Sequence, residues 1–195
     1  MPEPLSCALE VAPIHRDPDP DSEQVTQAVR GEPLTVEERR DGWARVRTAY
    51  DYPGWIAEAA LGSAPDPAWL PDRTGAEPLD WARAFVGAPY LWGGMTERGV
   101  DCSGLVHMAY RRTGRLVPRD AHEQEDAGTE LAETDTRPGD LVTYGDPGGV
   151  ATHIAFWLGS GHILHATDRD GGPHAVVEEP EPEVYGARRR RFLRL

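Results

Sequence analysis

The sequence changes character once, near residue 62, and that change limits the folds open to the chain. From about Leu5 to Leu61, short apolar runs alternate with turn residues and no long helical period develops, which points to a small all-β unit. Asp17-Pro-Asp-Pro-Asp reads as a loop. Leu34-Thr-Val alternates, Asp41-Gly42 marks a tight turn, Trp43-Ala-Arg-Val-Arg alternates again, and Asp51-Tyr52-Pro53-Gly54 turns the chain into Trp55-Ile56. Residues 63–75 carry Ser, Ala, Pro, Asp and Gly without periodicity, so they read as a linker between a domain at 1–62 and another at 76–195. A chain of 195 residues has room for two such units.

Beyond the linker the period becomes helical. Trp81, Ala82, Phe85 and Val86 share one helical face, and a second helix is expected where Leu105, Val106, Ala109 and Tyr110 recur at helical spacing. Asp101 fits as its N-cap, Arg111 and Arg112 fall in its last turn, and Gly114 stands where a C-cap glycine belongs. Leu116-Val-Pro-Arg-Asp-Ala-His-Glu-Gln is a loop opening a short helix. Arg137-Pro-Gly-Asp140 turns into the strand Leu141-Val-Thr-Tyr, and the runs 152–158 and 162–166 are apolar strands around Gly159-Ser-Gly161. One more strand closes the sheet, near Val176 or from Arg190 to Leu195. Helices first and sheet second make this half α+β.

Between the two helices, Tyr90-Leu-Trp-Gly-Gly and Val100-Asp101-Cys102-Ser103-Gly104 deliver one cysteine to a helix start. Unpaired amides there lower a thiol's pKa and can bind an oxyanion, so Cys102 is a candidate nucleophile. The competing reading is a small buried hydrophobe. A nucleophile needs a base, and the base needs an orienting partner. If the hairpin turn is centred on Ser160, opposed residues sum to 320, and His153 and His165 point to one face one diagonal step apart. His153 can then take the Cys102 proton while His165 holds the other imidazole nitrogen; a slip of one residue would separate them. His15, His107, His122, His162 and His174 show no such arrangement and read as surface or packing residues.

The formal net charge of −13 argues against nucleic acid as a partner, and the run Arg188 to Arg191 reads as solvated charge on a terminal strand. Cys7 and Cys102 make no disulfide framework and suit a reducing compartment. No stretch approaches a membrane span and no signal peptide is visible, so a cytoplasmic location is expected, or a secreted one if residues precede Met1. One thiol and two imidazoles with no fourth ligand make neither a structural zinc site nor a cofactor site.

Two resemblances follow from these motifs. The first sixty residues, with the pair Gly54-Trp55, resemble the bacterial Src-homology-3-like barrels found beside cell-wall enzymes. The series Gly87-Ala-Pro-Tyr90-Leu-Trp-Gly-Gly, Asp101-Cys102-Ser103-Gly104, Pro118-Arg119-Asp120 with Gln124, Pro138-Gly139-Asp140-Leu141, Thr152-His153-Ile-Ala and Ile163-Leu-His165-Ala resembles the NlpC-type, papain-like murein peptidases over about 120 residues. That likeness implies a Cys102–His153–His165 triad, with Tyr90 helping the oxyanion site and Asp101 and Ser103 shaping the pocket, their backbone amides more than their side chains.

The pairing with a barrel is similar to γ-D-glutamyl-L-diamino-acid peptidases, which cut cell-wall peptides bearing a free N-terminal L-alanine. In those enzymes the tyrosine of the "YPGW" turn and the aspartate of "PRD" bind the free amine; here they are Tyr52 and Asp120, with Arg119 in the same motif counted among the substrate-binding residues. Two positions depart from that pattern. Val25 precedes Thr26-Gln27 where some relatives have a carboxylate, with Glu23 nearby but out of register, and Ala121 follows Asp120 where others have serine. The expected activity is therefore a cysteine endopeptidase acting on small murein peptides in recycling. A secreted hydrolase of intact wall and a non-catalytic wall-binding module remain alternatives at this point.

Overall fold

The computed structural model describes residues 3–63, 66, 68–71 and 77–195. The first unit holds β1 (Glu3–Cys7), β2 (Val11–His15), β3 (Gln24–Val29), β4 (Pro33–Arg40), β5 (Trp43–Thr48), β6 (Pro53–Ala57) and β7 (Leu61–Gly62) in the order β3-β2-β6-β5-β4-β1-β7. Alternation puts Ile14, Ala28, Leu34, Val46 and Ile56 inside one small core, with Cys7 among them as a free thiol. Asp41 and Gly42 take φ of 51° and 82°, the left-handed pair a two-residue hairpin turn requires, and join β4 to β5. Most of the expected linker lies outside the described residues. Its described part is tied down: Asp66 donates its N–H to the Gly31 carbonyl at 3.0 Å, and Trp69 is buried beneath the Arg111 guanidinium, 4.5 Å from its ring centroid.

The second unit is α+β, as expected. Helix α1 (Pro78–Arg83) is followed by a two-stranded ribbon, β8 (Met95–Thr96) and β9 (Gly99–Val100), then by α2 (Cys102–Arg112) and α3 (Ala121–Ala127). The sheet comprises β10 (Thr129–Leu131), β11 (Leu141–Tyr144), β12 (His153–Gly159), β13 (His162–Asp168), β14 (His174–Pro180) and β15 (Arg189–Arg194), in the order β10-β15-β11-β12-β13-β14, with a short α4 (Glu183–Gly186) before β15. Both candidates for the closing strand form, β14 at one edge and β15 inside. The period-2 alternation splits the sheet into two faces. Leu141, Ile154, Phe156, Leu164 and Leu193 pack with α1 and α2, and Val142, Tyr144, Ala155, Trp157, Ile163 and Phe192 form a second core.

Helix α2 is buried from Cys102 through Arg111, because the sheet covers one side and the barrel the other. Three expectations are corrected. Helix α1 stops at Arg83, so Val86 swings out to 51% exposure and the buried face is Leu79, Ala82 and Phe85. The run Arg188 to Arg191 leads into the terminal strand, and Arg188 and Arg191 make solvated pairs with Asp146 and Glu130, but Arg189 and Arg190 are not solvated charge: they pair with the buried carboxylates of Glu181 and Glu125. A three-residue edge strand, β10, joins the sheet where none was expected. No helix among the described residues is long and apolar enough to cross a membrane.

Candidate active site

Asp101 and Arg119 set the local backbone around Cys102. Asp101 is the N-cap of α2: its Oδ1 accepts the Gly104 N–H at 2.7 Å, and its Oδ2 accepts the Gly93 N–H at 2.8 Å, closing the glycine-rich turn onto the helix start. Gly93 has φ of 71°, and a Cβ there would stand 2.7 Å from the Gln24 carbonyl of the barrel, so only glycine fits. Arg119 donates to both Asp101 oxygens at 3.0 and 2.6 Å, to Ser103 Oγ at 2.9 Å and to Thr26 Oγ1 of the barrel at 3.0 Å. At 1% exposure it lies under the site and not in it, so the structure gives this guanidinium a place as a brace and not as a substrate contact.

The thiol of Cys102 sits at the first position of α2, 7% exposed, close to the backbones of Ser103 and Ile154. Burial pushes its pKa up to about 12, with the Asp101 carboxylate adding to the rise; the two backbone contacts and Arg119 offset only part of it. Tyr90 is close enough that the sulfur helps raise its phenol, after burial, yet Tyr90 lies outside the cavity wall. Ile154 brings the thiol to the beginning of β12, one residue from His153.

The hairpin register follows the expected sum, pairing Phe156 with Leu164 and Trp157 with Ile163, before a bulge at Gly159. His153 Nε2 and His165 Nδ1 are 2.7 Å apart. The ring of Tyr185 stacks on His153 at 4.5 Å and 11°, its hydroxyl sharing a 2.8 Å hydrogen bond with Thr167 Oγ1. His165 Nε2 lies 3.0 Å from Glu179 Oε1, and Arg169 bonds both oxygens of Glu179 at 2.7 and 3.1 Å. Burial holds His153 well below an ordinary histidine, with the neighbouring His165, Arg188 and Arg169 acting in the same direction. Burial also lowers His165, against the pull of Glu179. Burial therefore favours the neutral form of both the thiol and the imidazole.

The thiol opens into a cavity of about 360 Å³ between the two domains. The barrel contributes Arg16, Glu23, Val25 and Tyr52; the other wall holds Trp92, Ser103, Asp120, His122, Val150 and Thr152. Asp120 caps α3 in a capping box with Glu123, and the Tyr52 hydroxyl reaches across the interface to donate to the Asp120 carboxylate, 3.2 and 3.1 Å from its two oxygens. Glu23 faces the same space, accepting from Trp92 Nε1 at 2.9 Å and pairing with Arg16 at 2.7 Å. Val25 also lines the wall, so the carboxylate absent at Val25 has a neighbour inside the cavity. A second cavity of about 450 Å³ lies between the domains at Arg30, Met95, Arg98 and Arg111, and none of the sequence-predicted site residues opens onto it.

Of the residues singled out from the sequence, Cys102, Asp101, Ser103, Tyr52 and Asp120 meet around one cavity, and His153 and His165 meet each other on the neighbouring hairpin, outside its lining. Trp92, Arg16, His122, Glu179, Arg169 and Tyr185 were not anticipated. Glu179 was within reach: pairing β13 with β14 around Asp170-Gly-Gly sets it diagonal to His165. Among the described residues no group of three His, Cys, Asp or Glu side chains gathers to hold a metal ion.

Known proteins share both halves of this architecture. Residues 14–61 match the bacterial dipeptidyl-peptidase Sh3 domain, and residues 87–185 match the NlpC/P60 family. A γ-D-glutamyl-L-lysine dipeptidyl-peptidase of Bacillus subtilis is 38% identical over 84 residues, covering 42% of this chain and 28% of that protein. A probable endopeptidase of Corynebacterium glutamicum is 38% identical over 93 residues, 48% of this chain and 43% of its own length. The chain thus spans less than half the length of these curated relatives. The crystal structure of an NlpC/P60 family protein from Bacillus cereus superposes with a TM-score of 0.59 at 21% identity, over 98% of this chain and 63% of that one, and shares the fold. With its barrel, its cysteine-bearing helix and its histidine hairpin, the chain belongs to the NlpC/P60 family.

Proposed function

We propose that this protein is a cysteine peptidase that hydrolyses the γ-D-glutamyl bond to an L-diamino acid, lysine or meso-diaminopimelate, in murein peptides with a free N-terminal L-alanine. The observation that carries this reading is the Tyr52–Asp120 contact in the lining of the cavity. A phenol oxygen and a carboxylate together suit an ammonium group, and a wall at that point would exclude an acylated or sugar-linked extension. The name of the Bacillus subtilis relative agrees with this substrate class.

In the mechanism, Cys102 attacks the γ-carbonyl as His153 takes the thiol proton. Backbone amides at the α2 start and Tyr90 face the oxyanion. His153 then gives its proton to the leaving amine, and a thioester remains that water hydrolyses with His153 again as base. His165 holds the imidazole of His153. Substrates of this kind are already freed from the wall, and two unbridged thiols suit a cytoplasmic recycling role.

The test compares L-Ala-γ-D-Glu-diamino-acid peptide, its N-acetylated form and intact sacculi. Cleavage of the free peptide at least about 100-fold faster than either competitor is expected, with Tyr52→Phe narrowing the gap chiefly through KM. Equal rates on sacculi would replace this reading with that of a wall hydrolase, and unchanged turnover by Cys102→Ala would remove the cysteine mechanism.

A further inference from the structure

The hydrogen bonds do not end at His165. They continue to Glu179 and from there to Arg169, two residues with no part in the mechanism above. A neutral imidazole has one nitrogen that donates and one that accepts, so a line of such bonds has a direction, fixed at whichever end is unambiguous. Here that end is Glu179. Its carboxylate is held ionised by the Arg169 fork and His165, against the opposing effect of burial, and an ionised carboxylate only accepts.

We infer that Glu179, braced by Arg169, is a positioning residue that fixes the proton order of both histidines and leaves Nδ1 of His153 bare to receive the Cys102 proton. His165 must donate Nε2–H to Glu179, which leaves its Nδ1 with a lone pair. The 2.7 Å contact then requires His153 to carry its hydrogen on Nε2. The reverse order sets a lone pair of His165 against the carboxylate and puts a hydrogen on Nδ1 of His153, where it blocks proton transfer. Tyr185, stacked on His153 and anchored through Thr167, holds the ring plane in which this order works. As the proton arrives, the imidazolium charge spreads toward Glu179, the acidic end of the line, which offsets the opposing Arg169 and Arg188.

This inference rests on His153 as the base, but part of its test does not. In ¹⁵N-histidine-labelled resting protein, wild type should show both His153 and His165 as Nε2–H tautomers, and Glu179→Ala should convert His165 to a mixture. In peptide hydrolysis, Glu179→Ala should lower kcat roughly 100-fold with KM nearly unchanged. Glu179→Gln, whose amide oxygen still accepts, should recover the wild-type tautomers and most of that loss, which separates the proposal from a folding defect. Wild-type tautomers and kcat in a folded Glu179→Ala protein would overturn it. If Cys102→Ala turned over normally, the peptidase reading would fail while the tautomer pattern still decided this one.

Discussion

Cys102 shows how two local effects of opposite sign are weighed. The field of a helix N-terminus stabilises an anion by about 0.3–1 kcal/mol, under one pKa unit. Burial acts against it and wins, taking the thiol from 9.0 to about 12. The sequence places the thiol at the helix start but not how completely the barrel, β12 and Tyr90 enclose it, so the expectation of a lowered pKa fails while the location is right. A resting thiolate–imidazolium pair is accordingly not expected. Alkylation of Cys102 by iodoacetamide should climb with pH well into the alkaline range, without the plateau near pH 5 that a preformed ion pair gives; such a plateau would show the pair exists at rest. The other thiol, Cys7, is buried in the barrel core and should stay silent in the folded protein.

At the level of elements, the start of α2 is held by one carboxylate with three tasks. Asp101 caps the helix, closes the Gly93 turn and neutralises Arg119, at 5% exposure beside a guanidinium at 1%. Removing it leaves a buried arginine without its partner, a change that costs about 3–5 kcal/mol. Asp101→Ala should therefore lower the urea midpoint sharply, whereas a loss under about 1 kcal/mol, that of a simple cap, would mean that Arg119 finds another anion. The cap was legible in the sequence because it is local, as was the hairpin register, where apolar runs flank Gly159-Ser-Gly161. Arg119 was not: nothing in Pro118-Arg119-Asp120 distinguishes a side chain turned inward from its neighbour, Asp120, turned to the cavity. Strand β10 escaped because three residues at a sheet edge leave too short a pattern.

For the whole molecule, the interface between barrel and peptidase carries ionisable groups that a core normally excludes. Glu32 of the barrel is fully enclosed, its Oε2 accepting the Val29 N–H at 3.1 Å and Oε1 without a partner, and burial pushes its pKa up from 4.5 to about 8, against the backbone bond and Arg111. The folded state thus holds this proton more tightly than the unfolded chain does. Its stabilising effect is full below about 4.5 and is lost as pH rises through about 8, a loss on the order of a few kcal/mol. Glu32→Gln should raise the melting temperature by about 5 °C or more near pH 9 and leave it unchanged near pH 4; equal curves at both pH values would place Glu32 in water. The change of period near residue 62 pointed to two units, matched by separate models over residues 14–61 and 87–185, but not to the cavity between them. The depth of their contact was not legible either, because it depends on side chains distant in sequence.

That contact includes a row of polar links from β3 to the turn before the cysteine and to Arg119 beyond α2. Gln24 Nε2 donates to the Trp92 carbonyl at 2.7 Å, Gln27 Oε1 accepts the Met95 N–H at 3.0 Å, and Thr26 Oγ1 accepts from Arg119. During synthesis the barrel leaves the ribosome first, so its strand edge can serve as a template on which the later turn sets. In evolution the same row ties two modules into one heritable unit: exchanging the barrel for another of the same fold would keep every side chain that the peptidase half places around Cys102 and still loosen the loop that presents it.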